Sequence, residues 1–407
     1  MRELGRDYAL FWAARVLAVA GATVTAVAVP VLTYQRSGSP LLTSAVAALQ
    51  VLPYLLLGLV AGAVADRVSR RLLMVVGEVV SSVALASLVV VGSDASVAHV
   101  LVVAAVVPTA FVWFDAAAFG ALPALVGRDR LVEANSALWT ATTLVGIGGP
   151  ALAGLVVAGW GATVALAIDV VACLGAAALL ASIGTPMGPG RRVGPPTRLR
   201  ADMVEGLAFV LRHPIIRPLT LAGALNSVAA GGVTGLVVVL AVEQLGSSAD
   251  GDVPGFLLTA IAIGGFLAAV GLPRLLRRVR LGLVTVGALA GGVPALVVLA
   301  LAEAWLVAVG ALVVWGLATT LVVLNGISTR QQLTPDRLQA RVNTSARMLA
   351  WGGTPFGALA AGATAEVAGT VTALAGVAAV CAAAVVYAVA SGLTRVTAPA
   401  GLAEPPS

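Results

Sequence analysis

The sequence has little charge and no lysine. Only 10% of its 407 residues are charged, and all 24 basic residues are Arg. Soluble domains have about 25% charged and about 45–50% apolar residues, whereas this chain is 60% hydrophobic with a mean hydropathy of +1.04. Such a chain cannot cover its apolar surface with polar groups, so we expect its solvent to be lipid. Because the phosphate-binding loop of ATPases needs a Lys, that loop is excluded within this chain.

Cysteine and histidine are also scarce. Both cysteines, Cys173 and Cys381, lie inside apolar runs, so we expect no structural disulfide. Both histidines, His99 and His213, lie at the edges of such runs and form no constellation for a metal or for acid–base catalysis. We therefore expect no enzyme, no cofactor and no metal site. A membrane enzyme is the less favoured alternative.

Long apolar runs fill most of the chain. A bilayer core about 30 Å thick needs about 20 apolar residues per helix. The sequence therefore predicts an all-α membrane protein with twelve transmembrane helices, near residues 9–33, 43–65, 72–92, 99–122, 136–158, 163–184, 216–243, 255–273, 281–302, 305–329, 346–365 and 370–394. The runs at 255–273 and 346–365 are the weakest. We expect the first run to be a retained helix and not a cleaved signal peptide.

Arginine is concentrated in alternate loops. If the N-terminus is cytoplasmic, nearly all Arg in loops fall on the cytoplasmic side, and only Arg36 lies in an outside loop. Positive charge is retained inside, so this asymmetry predicts that both termini are cytoplasmic. The exclusive use of Arg, with abundant Ala, Gly and Val, indicates a high-GC bacterium. We therefore expect a multi-pass protein of the bacterial inner (plasma) membrane.

One polar segment divides the runs into two sets of six. It begins with a Pro/Gly-rich linker and continues with apolar residues at helical spacing, which predicts an amphipathic helix on the inner membrane surface. The predicted regions are an N-terminal six-helix bundle (1–184), a cytoplasmic linker (185–215), a C-terminal six-helix bundle (216–395) and a disordered cytoplasmic tail (396–407).

The two sets of six repeat one another. ADRVSRR at 65–71 matches LPRLLRR at 272–278, and the same offset of 207 residues joins Arg130 to Arg337. An even number of helices per repeat makes the two bundles parallel, related by an axis along the membrane normal. This is the arrangement of rocker-type secondary transporters.

The loop between the second and third runs carries a motif. It reads GAVADRVSRR, in which the motif residues are Gly62, Asp66, Arg67, Arg70 and Arg71. In this loop, and along nearly its whole length, the chain resembles the major facilitator superfamily. The resemblance implies a gating latch on the cytoplasmic side, and our candidate partner for Asp66 is Arg347. An alternative reading gives the three loop Arg a role in topology only.

The fifth run has small residues around a proline. GIGGPALAG, with Gly149, Pro150 and Gly154, resembles the antiporter signature of the family, although Gly154 stands farther from the proline than the pattern requires. Small residues allow close helix approach and proline breaks a backbone hydrogen bond, so we expect a bend here. Gly-rich packing without a role in antiport is the alternative.

Three further segments bear on function. They read LPALVGRDRLVEANSAL, ADMVEGLAFVLRHPIIRPL and LTPDRLQARVNTSARMLAWGGTPFGALAAG. They resemble the subgroup that includes the enterobactin exporter and macrolide efflux proteins. The resemblance implies a secondary active exporter of an amphiphilic drug, siderophore or other natural product, acting by proton antiport with alternating access. The alternative is a facilitator or importer of a small metabolite or lysolipid. We expect a monomer without a nucleic-acid partner.

Ionisable residues are rare inside the predicted spans. Arg15, Glu78 and Asp115 lie about seven residues from the cytoplasmic ends of their helices, roughly 10 Å deep. Each is a functional candidate, because a charge at the bilayer centre costs roughly 2.5–3.5 kcal/mol or more. In the family, helices 1 and 4 line the cavity, so we predict an Arg15–Asp115 contact with Asp115 as the leading protonation site and Glu78 as the second. A static pair that fixes packing is the alternative. For Asp169 we favour a local structural role.

Four residues are candidates for lining a substrate cavity. Trp113 and Trp315 suit flat apolar ligands, and Asn226 and Asn325 offer hydrogen bonds. No predicted helix of the second half carries a charge in the middle of the membrane. We therefore expect ion coupling in the first half and a mostly apolar wall in the second.

Overall fold

In the computed structural model, thirteen α-helices and no β-strand make up the described residues, which are 4–65, 67–127, 129–188, 199–248, 251–335 and 338–396. Asp66 of the predicted latch, Arg337 of the repeat and nearly all of the predicted tail therefore lie outside the described residues. An all-α membrane protein of this architecture was predicted from the sequence, and the fold class is confirmed.

Six long helices form the first half of the chain. Their bounds are α1 (Arg6–Ser37), α2 (Pro40–Ala65), α3 (Arg70–Val91), α4 (Val97–Val126), α5 (Leu131–Trp160) and α6 (Ala162–Ala181). Ser69 and Ser96 precede α3 and α4, and their hydroxyls accept from the backbone N–H of Leu72 and His99. These contacts satisfy N–H groups that the first turn of a helix leaves without a partner.

A short helix and six long ones form the second half. Their bounds are α7 (Leu199–Arg212), α8 (Ile216–Val239), α9 (Val253–Leu276), α10 (Leu281–Ala300), α11 (Trp305–Leu333), α12 (Gln339–Ala368) and α13 (Thr370–Ala390). A π-helical turn, Leu240–Gln244, continues α8. The side-chain amide of Gln244 there donates to three backbone carbonyls at the end of α10, those of Leu299, Ala300 and Ala302.

Eleven of the described helices are long and apolar enough to cross a membrane. The exception among the twelve long helices is α12, which has 30 residues and whose run GGTPFG lowers its hydropathy. At about 1.5 Å per residue, α12 is still longer than a bilayer core is thick. The predicted number of twelve transmembrane helices is therefore approximate.

The chain forms two compact units. Unit 1 comprises Met1–Val193 and Ser247–Thr259, and unit 2 comprises Gly194–Gly246 and Ala260–Ser407. Within unit 1, α1 packs against α5 and α6, and α3 packs against α4 and α6. Within unit 2, α8 packs against α12 and α13, and α10 packs against α11 and α13.

The predicted amphipathic helix is α7. Part of its apolar side packs against α12, while Leu207 and Leu211 are exposed. Val210 is fully buried and packs with Leu338, Val342 and Ala346. The helix is therefore attached to unit 2 through side-chain packing, and its position on the inner membrane surface stays a prediction.

One backbone feature repeats between the two halves. A single glycine separates α5 from α6 and another separates α12 from α13, namely Gly161 (φ 85°, ψ 162°) and Gly369 (φ 83°, ψ 163°). Only glycine adopts this conformation readily, because a side chain at positive φ is strained. Both halves therefore turn between their fifth and sixth membrane helices in the same way.

Candidate functional site

An ion pair joins α1 and α4 in unit 1. The Nη2 atom of Arg15 lies 2.5 Å from Oδ1 of Asp115, and the side chains are 21% and 37% exposed. The guanidinium also lies 5.5 Å and 5.4 Å from the ring centroids of Phe111 and Phe114, which stack on each other. The predicted contact between Arg15 and Asp115 is therefore present, and two aromatic faces hold the cation in addition to the carboxylate.

A second group of polar side chains is buried between α1, α3 and α6. Asp169 is 1% exposed and Glu78 is 3% exposed. Asp169 accepts hydrogen bonds from the hydroxyl of Thr25 and from the thiol of Cys173, whose Sγ is 3.5 Å from Oδ1. Glu78 also interacts with Cys173. The two acids therefore share one thiol neighbour inside the unit.

A glycine on α1 makes room for this group. A Cβ atom at Gly21 would collide with the carboxylate of Asp169. Thr25 follows Gly21 by one helical turn, so both residues present the same face of α1 to Asp169. Sequence reasoning treated Asp169 as locally paired and did not identify Gly21 or Thr25 as its neighbours. The only available signal was the four-residue spacing of Gly21 and Thr25.

The basic residues of the loop after α2 differ in their contacts. Arg71 donates from Nη1 to the carbonyl of Ile183 at 2.6 Å, and the backbone N–H of Arg70 donates to the carbonyl of Met187 at 3.1 Å. The Arg70 side chain lies over Gly120 of α4, where an added Cβ would be 2.6 Å from Nε. Arg67 is exposed. Arg70 and Arg71 thus tie the start of α3 to its neighbours within unit 1.

The predicted latch is described only in part. Gly62 lies near the end of α2, with no atom within 4 Å of where its Cβ would be, and Asp66 lies outside the described residues. Arg347 of α12 is exposed, and its guanidinium lies 5.1 Å from the ring centroid of Trp351. The pairing of Asp66 with Arg347 stays a prediction.

The small residues of α5 lie where neighbouring segments of unit 1 come close to this helix. The helix continues from Leu131 to Trp160 with Pro150 inside it. A Cβ at Gly149 would lie 2.8 Å from Cγ2 of Thr23 on α1, and one at Gly154 would lie 2.9 Å from the carbonyl oxygen of Asp252. Both glycines are therefore required for packing in unit 1, and the proposed bend stays a prediction.

The four predicted cavity residues lie in different surroundings. Trp113 lines an apolar groove of about 520 Å³ between α3 and α4. Asn226 donates to the Thr319 hydroxyl at 2.7 Å, and Asn325 donates to the Leu281 carbonyl and the Thr285 hydroxyl.

Trp315 and Asn325 are enclosed. They are 2% and 0% exposed, and Trp315 packs near Gly292 of α10. In this structure both contribute to the contact between α10 and α11. The assignment of Trp113, Asn226, Trp315 and Asn325 to a substrate cavity stays a prediction.

Arg330 lies one residue beyond the span that the sequence predicted at 305–329, and the structure includes it in α11. It belongs to the last turn of α11 and is only 6% exposed. No pattern in the sequence distinguished it from the other Arg near helix ends. Elsewhere in the described residues, no group of three or more His, Cys, Asp or Glu is placed to hold a metal ion.

Comparisons with known proteins identify the family. The sequence profile of the Major Facilitator Superfamily matches residues 11–358. The multidrug efflux pump Tap of Mycolicibacterium fortuitum is 32% identical over 270 residues, which cover 63% of this chain and 64% of Tap. The enterobactin exporter EntS of Escherichia coli O1:K1 / APEC is 28% identical over 231 residues, 56% of this chain and 53% of EntS. The matched segments thus span less than two thirds of either relative.

Solved structures support the same fold. The nucleoside transporter NupG superposes with a TM-score of 0.79 at 13% identity, over 96% of this chain and 99% of NupG. A bacterial homologue of the iron transporter ferroportin, in an inward-facing state, superposes with a TM-score of 0.73 at 18% identity, over 95% and 98%. Since the sequence profile covers most of the chain, this protein belongs to the Major Facilitator Superfamily and is a multi-pass membrane transporter.

Proposed function

We propose that this protein is a secondary active exporter of an amphiphilic small molecule, which it moves by alternating access in exchange for protons. The observation that carries the proposal is the partly exposed ion pair of Arg15 and Asp115 between two membrane-spanning helices. Charged side chains at such depth are costly, and proton relays are among the functions that retain them.

The ion pair provides a two-state element. While Asp115 is ionised, Coulomb attraction and a charge-assisted hydrogen bond hold Arg15 against it. When a proton binds Asp115, most of that attraction is lost and the guanidinium can separate from α4. Phe111 and Phe114 then offer the cation an alternative partner at the distances observed here. Proton binding would therefore alter the contact between α1 and α4, the kind of change an alternating-access cycle requires.

Glu78 is the second candidate for proton coupling. It is buried beside Cys173 and in electrostatic contact with Asp169, so a proton on it would relieve repulsion between two enclosed acids. It is less accessible than Asp115, and we therefore assign it the secondary role. Asp169, which accepts from Thr25 and Cys173, is assigned a structural role.

The direction and the class of cargo rest on the named relatives. Tap is named a multidrug efflux pump and EntS an enterobactin exporter, and both names describe outward transport. The likeness to NupG concerns the fold alone at 13% identity. Export of an amphiphile is therefore favoured over import of a metabolite. We further propose a bacterial inner membrane with both termini cytoplasmic, and a monomer.

The energetics permit coupling to one proton. One elementary charge moving down about 100 mV supplies about 2.3 kcal/mol, and about 1.4 kcal/mol corresponds to a tenfold gradient. One proton per cycle therefore sustains a cargo gradient of some tens-fold, and a pH difference would add to it.

Transport in membrane vesicles of opposite orientation tests the proposal. We expect everted vesicles containing this protein to accumulate phenylnaphthylamine, an apolar fluorescent efflux probe, when a proton gradient is imposed. Accumulation should disappear when the gradient is collapsed by an ionophore. Equal uptake in right-side-out vesicles, independent of the gradient, would instead identify a facilitator.

A further inference from the structure

Arg330 is the only charged residue of unit 2 that is buried, among the residues whose side chains are described. It is 6% exposed, in the last turn of α11. Its guanidinium has no hydrogen bond or ion pair within the described part of the chain, and its Nε is fully enclosed without a partner. Among the residues that the structure describes, no charged group acts on it electrostatically. A buried charge without a partner is strongly unfavourable. An anion that would compensate the charge of Arg330 is therefore missing from the site.

The direction of the side chain excludes its usual role at a helix end. An Arg near the end of a transmembrane helix normally extends toward the headgroups so that its charge remains in water. Here Nη1 lies 3.6 Å from the position that a Cβ of Gly326 would occupy. Gly326 is one turn closer to the middle of α11, so the guanidinium is directed along the helix into the unit. Because Gly326 has no side chain, the guanidinium of Arg330 has room to lie beside it.

Arg330 shares a helix face with a polar pair. Thr319, Gly326 and Arg330 are spaced by seven and four residues, which places them on one side of α11. On that side, the hydroxyl of Thr319 accepts from the amide of Asn226 on α8 at 2.7 Å. Thr319 and Arg330 are separated by roughly 16 Å along the helix axis. The face therefore offers neutral hydrogen-bonding groups at one end and an unpaired cation at the other.

We propose that Arg330 binds an oxyanion of the transported molecule, such as a carboxylate, sulfonate or phosphate, so that the cargo is an amphiphilic anion. This inference rests on the proposed export function and specifies its substrate. The planar guanidinium donates two parallel hydrogen bonds to an oxyanion, which a Lys would not reproduce. Binding of the oxyanion would supply the missing counter-charge.

A matched pair of probes tests the proposal. Anilinonaphthalene sulfonate and phenylnaphthylamine have the same ring system and differ in the sulfonate. We would titrate each into the purified full-length protein in detergent by calorimetry, with empty micelles as the blank. The wild type should bind the sulfonate roughly ten- to a hundredfold more tightly, the range expected for charge-assisted hydrogen bonds. Arg330→Gln should remove that preference and leave the affinity for phenylnaphthylamine unchanged.

Two further variants complete the test. Arg330→Lys keeps the charge without the planar fork, so it should retain only part of the preference. Arg277→Gln removes one positive charge from an exposed position of unit 2 and should behave as wild type. Each variant should elute and unfold as wild type, which would separate a binding defect from misfolding.

Three outcomes would overturn the proposal. These are an unchanged preference in Arg330→Gln, an equal loss for both probes, and displacement of the sulfonate by phosphatidylglycerol in the wild type but not in Arg330→Gln. The last result would identify a lipid headgroup as the anion. Because the titration measures binding without a proton gradient, its failure would leave the proposed proton-driven export intact, and a failure of export would leave the anion site intact.

Discussion

Units 1 and 2 use similar helices but bury different polar groups. Both turn between their last two membrane helices at a glycine of the same conformation, Gly161 and Gly369. In unit 1 the polar groups at depth include ionisable side chains, and the charge of Arg15 is matched by Asp115. In unit 2 the amide–hydroxyl pair of Asn226 and Thr319 is neutral.

The contrast suggests a division of work. Protonation can separate a matched ion pair, so unit 1 has the means to respond to protons. Neutral hydrogen bonds do not titrate, and the buried charge of unit 2, Arg330, has no acidic partner among the described residues that a proton could neutralise. Unit 2 is therefore suited to recognise cargo, and the following predictions test this difference.

The largest effect is expected for Asp115→Asn. The change keeps the size of the side chain and removes the charge that a proton would neutralise. The steady-state cargo gradient should fall by some tens-fold, since one proton moving down about 100 mV accounts for a gradient of that size. Accumulation of phenylnaphthylamine in everted vesicles measures it. Asp129→Asn, which removes an exposed acid from the same unit, is the control and should transport as wild type.

The next largest effect concerns packing in unit 2. A Cβ at Gly231 of α8 would collide with the backbone carbonyl of Thr354 on α12, and backbone cannot move aside as a side chain can. Gly231→Ala should therefore lower the free energy of unfolding by about 1–3 kcal/mol. Gly376→Ala has nothing within 4 Å of its new methyl group and should be neutral or slightly stabilising. Thermal unfolding in detergent compares them, and equal destabilisation would contradict the packing described here.

Substitutions of the two buried acids of unit 1, Glu78 and Asp169, should have intermediate effects that differ between transport and stability. Glu78→Gln removes the secondary proton site and should reduce transport severalfold, less than Asp115→Asn does. Asp169→Asn keeps an oxygen that can accept from Thr25, so transport should persist while stability falls. Vesicle transport and thermal unfolding of both variants test the assignment. Loss of transport in Asp169→Asn alone would reverse the two roles.

The smallest expected effect is a pH dependence of the folding stability that His213 contributes in the linker of unit 2. Nδ1 of His213 accepts from the backbone N–H groups of Ile215 and Ile216 at 3.2 Å each, which it does only while Nδ1 carries no proton. Burial lowers the pKa of His213 below its ordinary value of 6.5. The stabilisation is thus complete above that value and is lost as the pH falls through the lower pKa of the folded state.

His213→Asn is the matched variant for this prediction. Its amide oxygen can accept from the same N–H groups and does not titrate. The melting temperature of the wild type should fall more between about pH 7 and pH 5 than that of the variant. Parallel curves for the two proteins would show that His213 does not contribute.

Much of the fold was accessible from the sequence because a bilayer imposes one simple rule. Each span must be apolar along its length, and basic residues must be concentrated in the loops on one side of the membrane. The helices and the family were therefore predicted correctly. The Arg15–Asp115 contact was predicted from the equal depth of the two residues and from the resemblance to a family in which helices 1 and 4 line the cavity. The prediction was weakest for α12, because its glycines and polar residues lower its mean hydropathy.

The rest depends on rotation of helices about their axes. The neighbours of Asp169 come from α1 and α6, and no local pattern shows which face of α1 meets α6. Arg330 lies one turn from a helix end, where a residue can reach water or turn inward. Its direction is set by the space at Gly326. Such choices are made by tertiary packing, which the sequence pattern does not specify.

One measurement tests the division of work most directly. Proteoliposomes containing a pH-sensitive dye report proton movement when phenylnaphthylamine is added to wild type, Asp115→Asn or Arg330→Gln. We expect proton movement with wild type and Arg330→Gln and none with Asp115→Asn, although the last variant should still bind the probe. Proton movement that persists in Asp115→Asn, or that is lost in Arg330→Gln, would contradict the assignment of coupling to unit 1.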